Sequence, residues 1–300
     1  MPMFFFVSGY VAYKPLVHWT RTYALDIFKR KFQAQIIGTV FFYSLLLWCI
    51  HAEDPFRAFR LEVHGYWFTL TLFRIFCIYA ILSLILRKWS FKILEVILLT
   101  LSVAGILIFI YHPVHSPLLS IIGYNTLYFL QFFTMGLLLR SHGAEAMRIF
   151  ESKILITIII LGFTLCCILV FSYDRELVGL CGEKGYIWWS EEIIRYLGLF
   201  LVFSLFYTGR NMFEKDIRTN RILLLIGRRT LDLYFLHYFF LPDLTFLKPY
   251  IEGAENAVVT QLIIGAIVSG VIIAVCMGIS FIFRRSPFLA QWLFGVKKPV

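Results

Sequence analysis

Long apolar runs separated by short charged stretches form the dominant pattern of the chain. Ile36 to Ala52 carries no Asp, Glu, Lys or Arg and predicts one membrane-spanning helix. Tyr66 to Leu86 predicts a second, interrupted only by Arg74. Val96 to Leu139 is charge-free and too long for one helix; it divides at His112-Pro113-Val114-His115-Ser116-Pro117, because proline cannot continue a helix, and so yields two spans. Ile154 to Tyr173, Ile193 to Thr208, Ile222 to Leu241 and Ala257 to Phe283 predict four more. The predicted fold class is all-α: a polytopic transmembrane helical bundle with eight full spans plus a partial first span.

The two ends read differently. Residues 1–17 hold an apolar, phenylalanine-rich stretch that stops at Lys14-Pro15. At 1.5 Å per residue it reaches only about 20 Å, short of the ~30 Å hydrocarbon core, and predicts the inner part of a span. Residues 18–35 are amphipathic, with Lys29, Arg30 and Lys31 beside Phe28 and Phe32, and predict an interfacial helix. Residues 36–283 hold the eight spans and 284–300 a basic tail, all within a single integral membrane domain over residues 1–300.

Composition narrows this further. Hydrophobic residues make up 60% and charged residues 15% of the 300 positions, which excludes a disordered chain and an ordinary soluble domain. The net charge of +10 raises the question of nucleic acid. Its distribution answers it: alternate loops carry nineteen Lys and Arg on one side and five on the other. That asymmetry follows the positive-inside rule, predicts a multi-pass cell-membrane protein with a cytoplasmic C-terminus, and leaves no reason to invoke nucleic acid as a partner. The six cysteines include no CxxC pair, and His112 with His115 lacks a third ligand, so no metal site is predicted.

Ionisable residues inside a bilayer are costly and mark either function or internal pairing. Arg74 reads as an anion or oxyanion ligand, or as the buried partner of Glu95 or Glu192. Asp232 stands four residues after Arg228 and three after Arg229, which predicts an intrahelical ion pair. His237 reads as a general base or acid, or as a core histidine bonded to a tyrosine. Glu191 and Arg195 are spaced for a helix-start pair, or with Glu192 for a polar substrate site near the outer face. Lys29, Arg30 and Lys31 suit the phosphates of a cofactor or anionic lipid headgroups.

Four local strings, in order, resemble the membrane acyltransferase 3 family. Met1-Pro2-Met3-Phe4-Phe5-Phe6-Val7-Ser8-Gly9-Tyr10 resembles its FFFxSG motif, with Phe5, Phe6, Ser8 and Gly9 at the motif positions. Phe28-Lys29-Arg30-Lys31-Phe32 resembles the basic run that follows it. Gly65-Tyr66-Trp67-Phe68 with Leu72 resembles the start of a family span, Trp67 holding the motif tryptophan. Ile226-Gly227-Arg228-Arg229-Thr230-Leu231-Asp232-Leu233-Tyr234-Phe235-Leu236-His237-Tyr238-Phe239-Phe240 resembles its late GxxSLxIYLLHxxF span.

The resemblance implies an integral membrane O-acyltransferase. Its donor would be acetyl-CoA or another acyl-CoA, with no tightly bound cofactor. Its acceptor would be a hydroxyl of a cell-surface sugar or polysaccharide. Lys29, Arg30 and Lys31 would serve the donor, although Lys31-Phe32-Gln33-Ala34 lacks the family's second arginine. His237 would orient or pack the site. Family members carry a further span with the catalytic histidine before FFFxSG, so the chain as given is expected to be short by that span, and possession of activity to depend on it. The competing class is a transporter or flippase for a lipid-linked glycan or small solute, supported by many spans and by Arg74, Asp232 and His237 within them.

Overall fold

A computed structural model describes residues 1–14, 19–50, 65–111, 123–172, 183–215, 217–242 and 257–296. All secondary structure among these residues is helical. The helices are α1 (Pro2–Ala12), α2 (Arg21–Cys49), α3 (Trp67–Ile85), α4 (Phe91–Tyr111), α5 (Tyr124–Ser141), α6 (Gly143–Ile149), α7 (Lys153–Ser172), α8 (Glu183–Thr208), α9 (Arg210–Phe213), α10 (Arg218–Arg228), α11 (Thr230–Leu236), α12 (Ala257–Arg285) and α13 (Pro287–Phe294). Four stretches among the described residues are long and apolar enough to cross a membrane: Arg21–Cys49, Trp67–Ile85, Phe91–Phe109 and Val259–Arg285. In lipid a chain must satisfy its own backbone hydrogen bonds, and a helix does so within one segment. The predicted His112–Pro117 break, His18, His51, His64 and Cys181 lie outside the described residues, as does the side chain of Glu191.

The chain divides into two compact units, Met1–Arg21 with Arg74–Asp216, and Thr22–Phe73 with Ile217–Val300. In the first, α1 packs along α5, α4 packs on the same helix, and α7 pairs with α8. Two glycines allow the α1–α5 approach. A Cβ on Gly9 would fall on the backbone carbonyl of Phe133, and one on Gly136 would fall on that of Phe6. Phe5 and Phe6 are fully buried there; Phe5 stacks on Phe129 at 4.6 Å and Phe6 meets Phe203 edge-on at 5.3 Å. Ser102 of α4 donates to Thr134 of α5 at 3.0 Å, an interhelical polar bond in an apolar surrounding.

The second unit is built around Phe42, Tyr66 and Phe235, all fully buried. Phe42 stacks on Phe235 at 5.1 Å, and the Tyr66 hydroxyl donates to the Phe235 carbonyl at 2.8 Å. Outward-facing Val259, Leu262, Ile263, Ile267 and Val271 leave α12 with the apolar surface a lipid-facing helix requires.

Two sequence expectations are corrected and one is extended. The amphipathic helix expected over residues 18–35 runs on into the next predicted span. Arg21–Cys49 is continuous, and Phe32–Ile37 within it widens to π-helical turns where α13 packs. Ile222 to Leu241 is not one continuous span. It breaks at Arg229 (φ −110°, ψ 18°), so α10 and α11 are distinct and the chain then tightens to a 3₁₀ turn over His237–Phe239. Gly227 precedes the break, and Thr230 Oγ1 donates to the Gly227 carbonyl at 2.6 Å, taking up an acceptor that the interrupted helix releases. The helix predicted from Ile193 begins earlier, at Glu183.

Candidate functional site

Arg74 is half-buried in the middle of α3 and makes no hydrogen bond or ion pair with another described residue. Neither carboxylate proposed as its partner reaches it. Glu95 accepts from Ser141 at 2.6 Å, and Glu192 pairs with Arg195 at 2.6 Å. The guanidinium instead lies against Gly123, where α5 begins. Arg74 Cζ and Thr126 Oγ1 each stand 3.1 Å from the point a Gly123 Cβ would occupy. Gly123 has φ +82°, a conformation that glycine adopts without penalty, and it caps α5 with no side chain. Thr126 is fully buried and its hydroxyl has no hydrogen-bond partner among the described residues.

This corner combines three features of an anion site. It has a guanidinium with no counter-ion among the described residues, the positive end of an 18-residue helix that no side chain caps, and a buried hydroxyl with no partner among them. A phosphate, a carboxylate or an oxygen gaining negative charge during a reaction fits it chemically.

A second polar cluster in the same unit joins α5 to α8. The Tyr128 hydroxyl donates to Glu192 Oε1, and Arg195 Nη1 donates to that same oxygen at 2.6 Å and to the Tyr128 hydroxyl at 2.5 Å. The Tyr196 hydroxyl donates to Gln131 Oε1 at 2.5 Å. Arg195 therefore pairs with Glu192, not with the predicted Glu191.

In the other unit, Asp232 does not pair with Arg228 or Arg229. It is fully buried and takes two hydrogen bonds from Arg284, at 2.6 and 2.9 Å, and one from Ser280 at 2.5 Å. Asp232 lies in the first turn of α11, just after the break at Arg229, and its carboxylate faces α12. His237 sits just beyond α11. Its Nδ1 meets the carbonyls of Tyr234 at 2.7 Å and Leu233 at 3.2 Å, and only an N–H can donate to them. The neutral ring therefore carries its proton on Nδ1 and presents Nε2 as an acceptor. The ring lies 4.0 Å from that of Tyr238, whose hydroxyl, with that of Tyr234, donates to the Gly65 carbonyl at 2.8 Å. Gly65 and Tyr66, which precede Trp67 at the start of α3, thus stand against the late His237 segment.

Lys29 is exposed on α2, whereas Arg30 is engaged by Asp26 at 2.5 Å and Lys31 is half-buried at the onset of the π-helical turns. No group of three His, Cys, Asp or Glu able to hold a metal occurs among the described residues. Phe5, Phe6, Ser8 and Gly9 come together on α1; Ser8 is half-buried beside the Gly9 contact. Charge counting passed over Gly123, Thr126, Tyr128, Gln131 and Tyr196. The signal available was a set of uncharged polar residues within otherwise apolar runs.

Comparison with curated proteins and with solved structures yields no match. A family model described as an acyltransferase domain matches residues 1–283, nearly the whole length. The chain is an acyltransferase-family membrane protein, a member of the acyltransferase 3 family.

Proposed function

We propose that the protein moves an acetyl or other acyl group from acyl-CoA, bound at the cytoplasmic face, to a hydroxyl of a cell-surface sugar or polysaccharide. The observation that carries this reading is Arg74, a mid-helix cation without a counter-ion among the described residues, set against the start of α5 and the Thr126 hydroxyl. In the reaction the acceptor oxygen attacks the thioester carbonyl, the carbon–sulfur bond breaks, and the CoA thiol leaves with the proton. The carbonyl oxygen gains charge on the way, and a fixed cation in a low-dielectric site is suited to stabilise it. Lys29, Arg30 and Lys31 serve the donor's phosphates. His237 is a positioning residue for its tyrosine cluster, offering Nε2 as its polar atom. The eight-span count, a bacterial cytoplasmic membrane location and a cytoplasmic C-terminus belong to the same reading, and the loop charge asymmetry supports them.

The test is transfer of label from acetyl-CoA into surface glycan by membranes carrying the protein. Arg74→Ala is expected to lower the rate about 100-fold, the scale seen when one oxyanion donor is removed. Movement of a lipid-linked glycan or small solute across the membrane without acylation would place the chain in a transport class instead.

A further inference from the structure

We propose that Gln131 and Glu192 form a hydroxyl-binding pair for a neutral polyhydroxylated acceptor, a proposal that rests on the acyl-transfer reading above. Gln131 is 4% exposed in the middle of α5. Its Oε1 is occupied by Tyr196, but its Nε2, with two N–H donors, has no partner among the described residues. Glu192 is in the complementary state. Its Oε1 receives both Tyr128 and Arg195, while its buried Oε2 receives nothing from the described residues.

Tyr196 links the two. It stands one helical turn after Glu192 on α8, lies within electrostatic range of that carboxylate, and is hydrogen-bonded to Gln131. The seam between α5 and α8 therefore holds one unused donor group and one unused acceptor. Leaving such groups unpaired in a buried setting is costly. A hydroxyl satisfies both, donating its proton to Glu192 Oε2 and accepting from Gln131 Nε2.

The charge balance selects the class of ligand. Arg195 neutralises Glu192, so the seam carries no net charge from this pair. An anion would meet a carboxylate already in place, and a metal cation would find a single carboxylate where it needs several ligands. A neutral sugar has the required hydroxyls, and the Phe132 and Tyr196 rings, 5.0 Å apart, give the seam an aromatic wall.

The experiment follows label from acetyl-CoA into de-O-acetylated surface polysaccharide of the expressing cells. It compares wild type, Glu192→Gln, Gln131→Glu and the double exchange. Each single change leaves two donors or two acceptors facing the hydroxyl, and is expected to raise the acceptor KM about tenfold while leaving the acetyl-CoA KM unchanged. The double exchange restores one donor and one acceptor and is expected to recover most of the loss. Gln131→Met, which leaves the Glu192–Arg195 pair intact, carries the test if a charge-altering variant is unstable. Single variants whose acceptor KM stays within about twofold of wild type, or a double exchange no better than the singles, would mean that the pair holds water or serves only packing, and would overturn the proposal while leaving acyl transfer standing. Absence of transfer by the wild-type chain would overturn both.

Discussion

Arg284 holds Asp232 in a two-point grip across 52 residues of sequence: Nε to Oδ2 at 2.6 Å and Nη2 to Oδ1 at 2.9 Å, with the carboxylate fully buried. The pair ties α11 to α12. Removing one partner leaves a buried charge alone, which costs about 3–5 kcal/mol, whereas replacing both with apolar side chains avoids that penalty. Asp232→Leu and Arg284→Met are each expected to lower the unfolding midpoint in detergent sharply, and the double variant to unfold at a higher temperature than either. Simple addition of the two losses would show that the charges act independently.

Glycines separate into two classes. Gly9→Ala and Gly136→Ala would each drive a methyl group into backbone of the facing helix and are expected to destabilise by about 1–3 kcal/mol. A Cβ on Gly265 or Gly270 meets nothing within 4 Å. Gly270→Ala is therefore expected to be neutral or stabilising by up to about 1 kcal/mol, since alanine loses less backbone freedom in a helix. Thermal unfolding of the three variants side by side checks the contrast.

Arg74 and Gly123 should share an activity phenotype and differ in stability. Arg74→Ala removes from a span a cation that no described residue pairs with, so folding is expected to be unchanged or improved while transfer is lost. Gly123→Ala forces a side chain into φ +82° and displaces the guanidinium, so it should lose both activity and about 1 kcal/mol or more of stability. Arg74→Ala with full transfer activity would remove the residue from the mechanism.

The basic stretch gives a graded expectation. Lys29 is exposed, while Arg30 is held by Asp26. Lys29→Ala is expected to raise the acyl-CoA KM several-fold with little change in kcat. An unchanged KM, together with weaker association with anionic lipid, would assign the stretch to the membrane surface.

Hydropathy alone determined that the chain is helical, where most helices lie, and that Arg74, Asp232 and His237 fall within or beside them. A segment that enters lipid must be apolar for about 20 residues and must close its own hydrogen bonds, and both demands are written locally. The family was legible for a similar reason, because FFFVSG and the late histidine segment are contiguous strings. Helix spacing could name only neighbours three or four residues away, and there it misled: Arg228 and Arg229 were the available partners for Asp232, yet the fold supplied Arg284. The same holds for Arg74, whose candidate glutamates are taken by Ser141 and Arg195. The break at Arg229, the φ +82° start of α5 and the unused polar atoms of Thr126, Gln131 and Glu192 belonged to the tertiary structure. Pairing of buried polar groups depends on which helices meet and at what register, and a chain whose spans are uniformly apolar leaves that choice to packing.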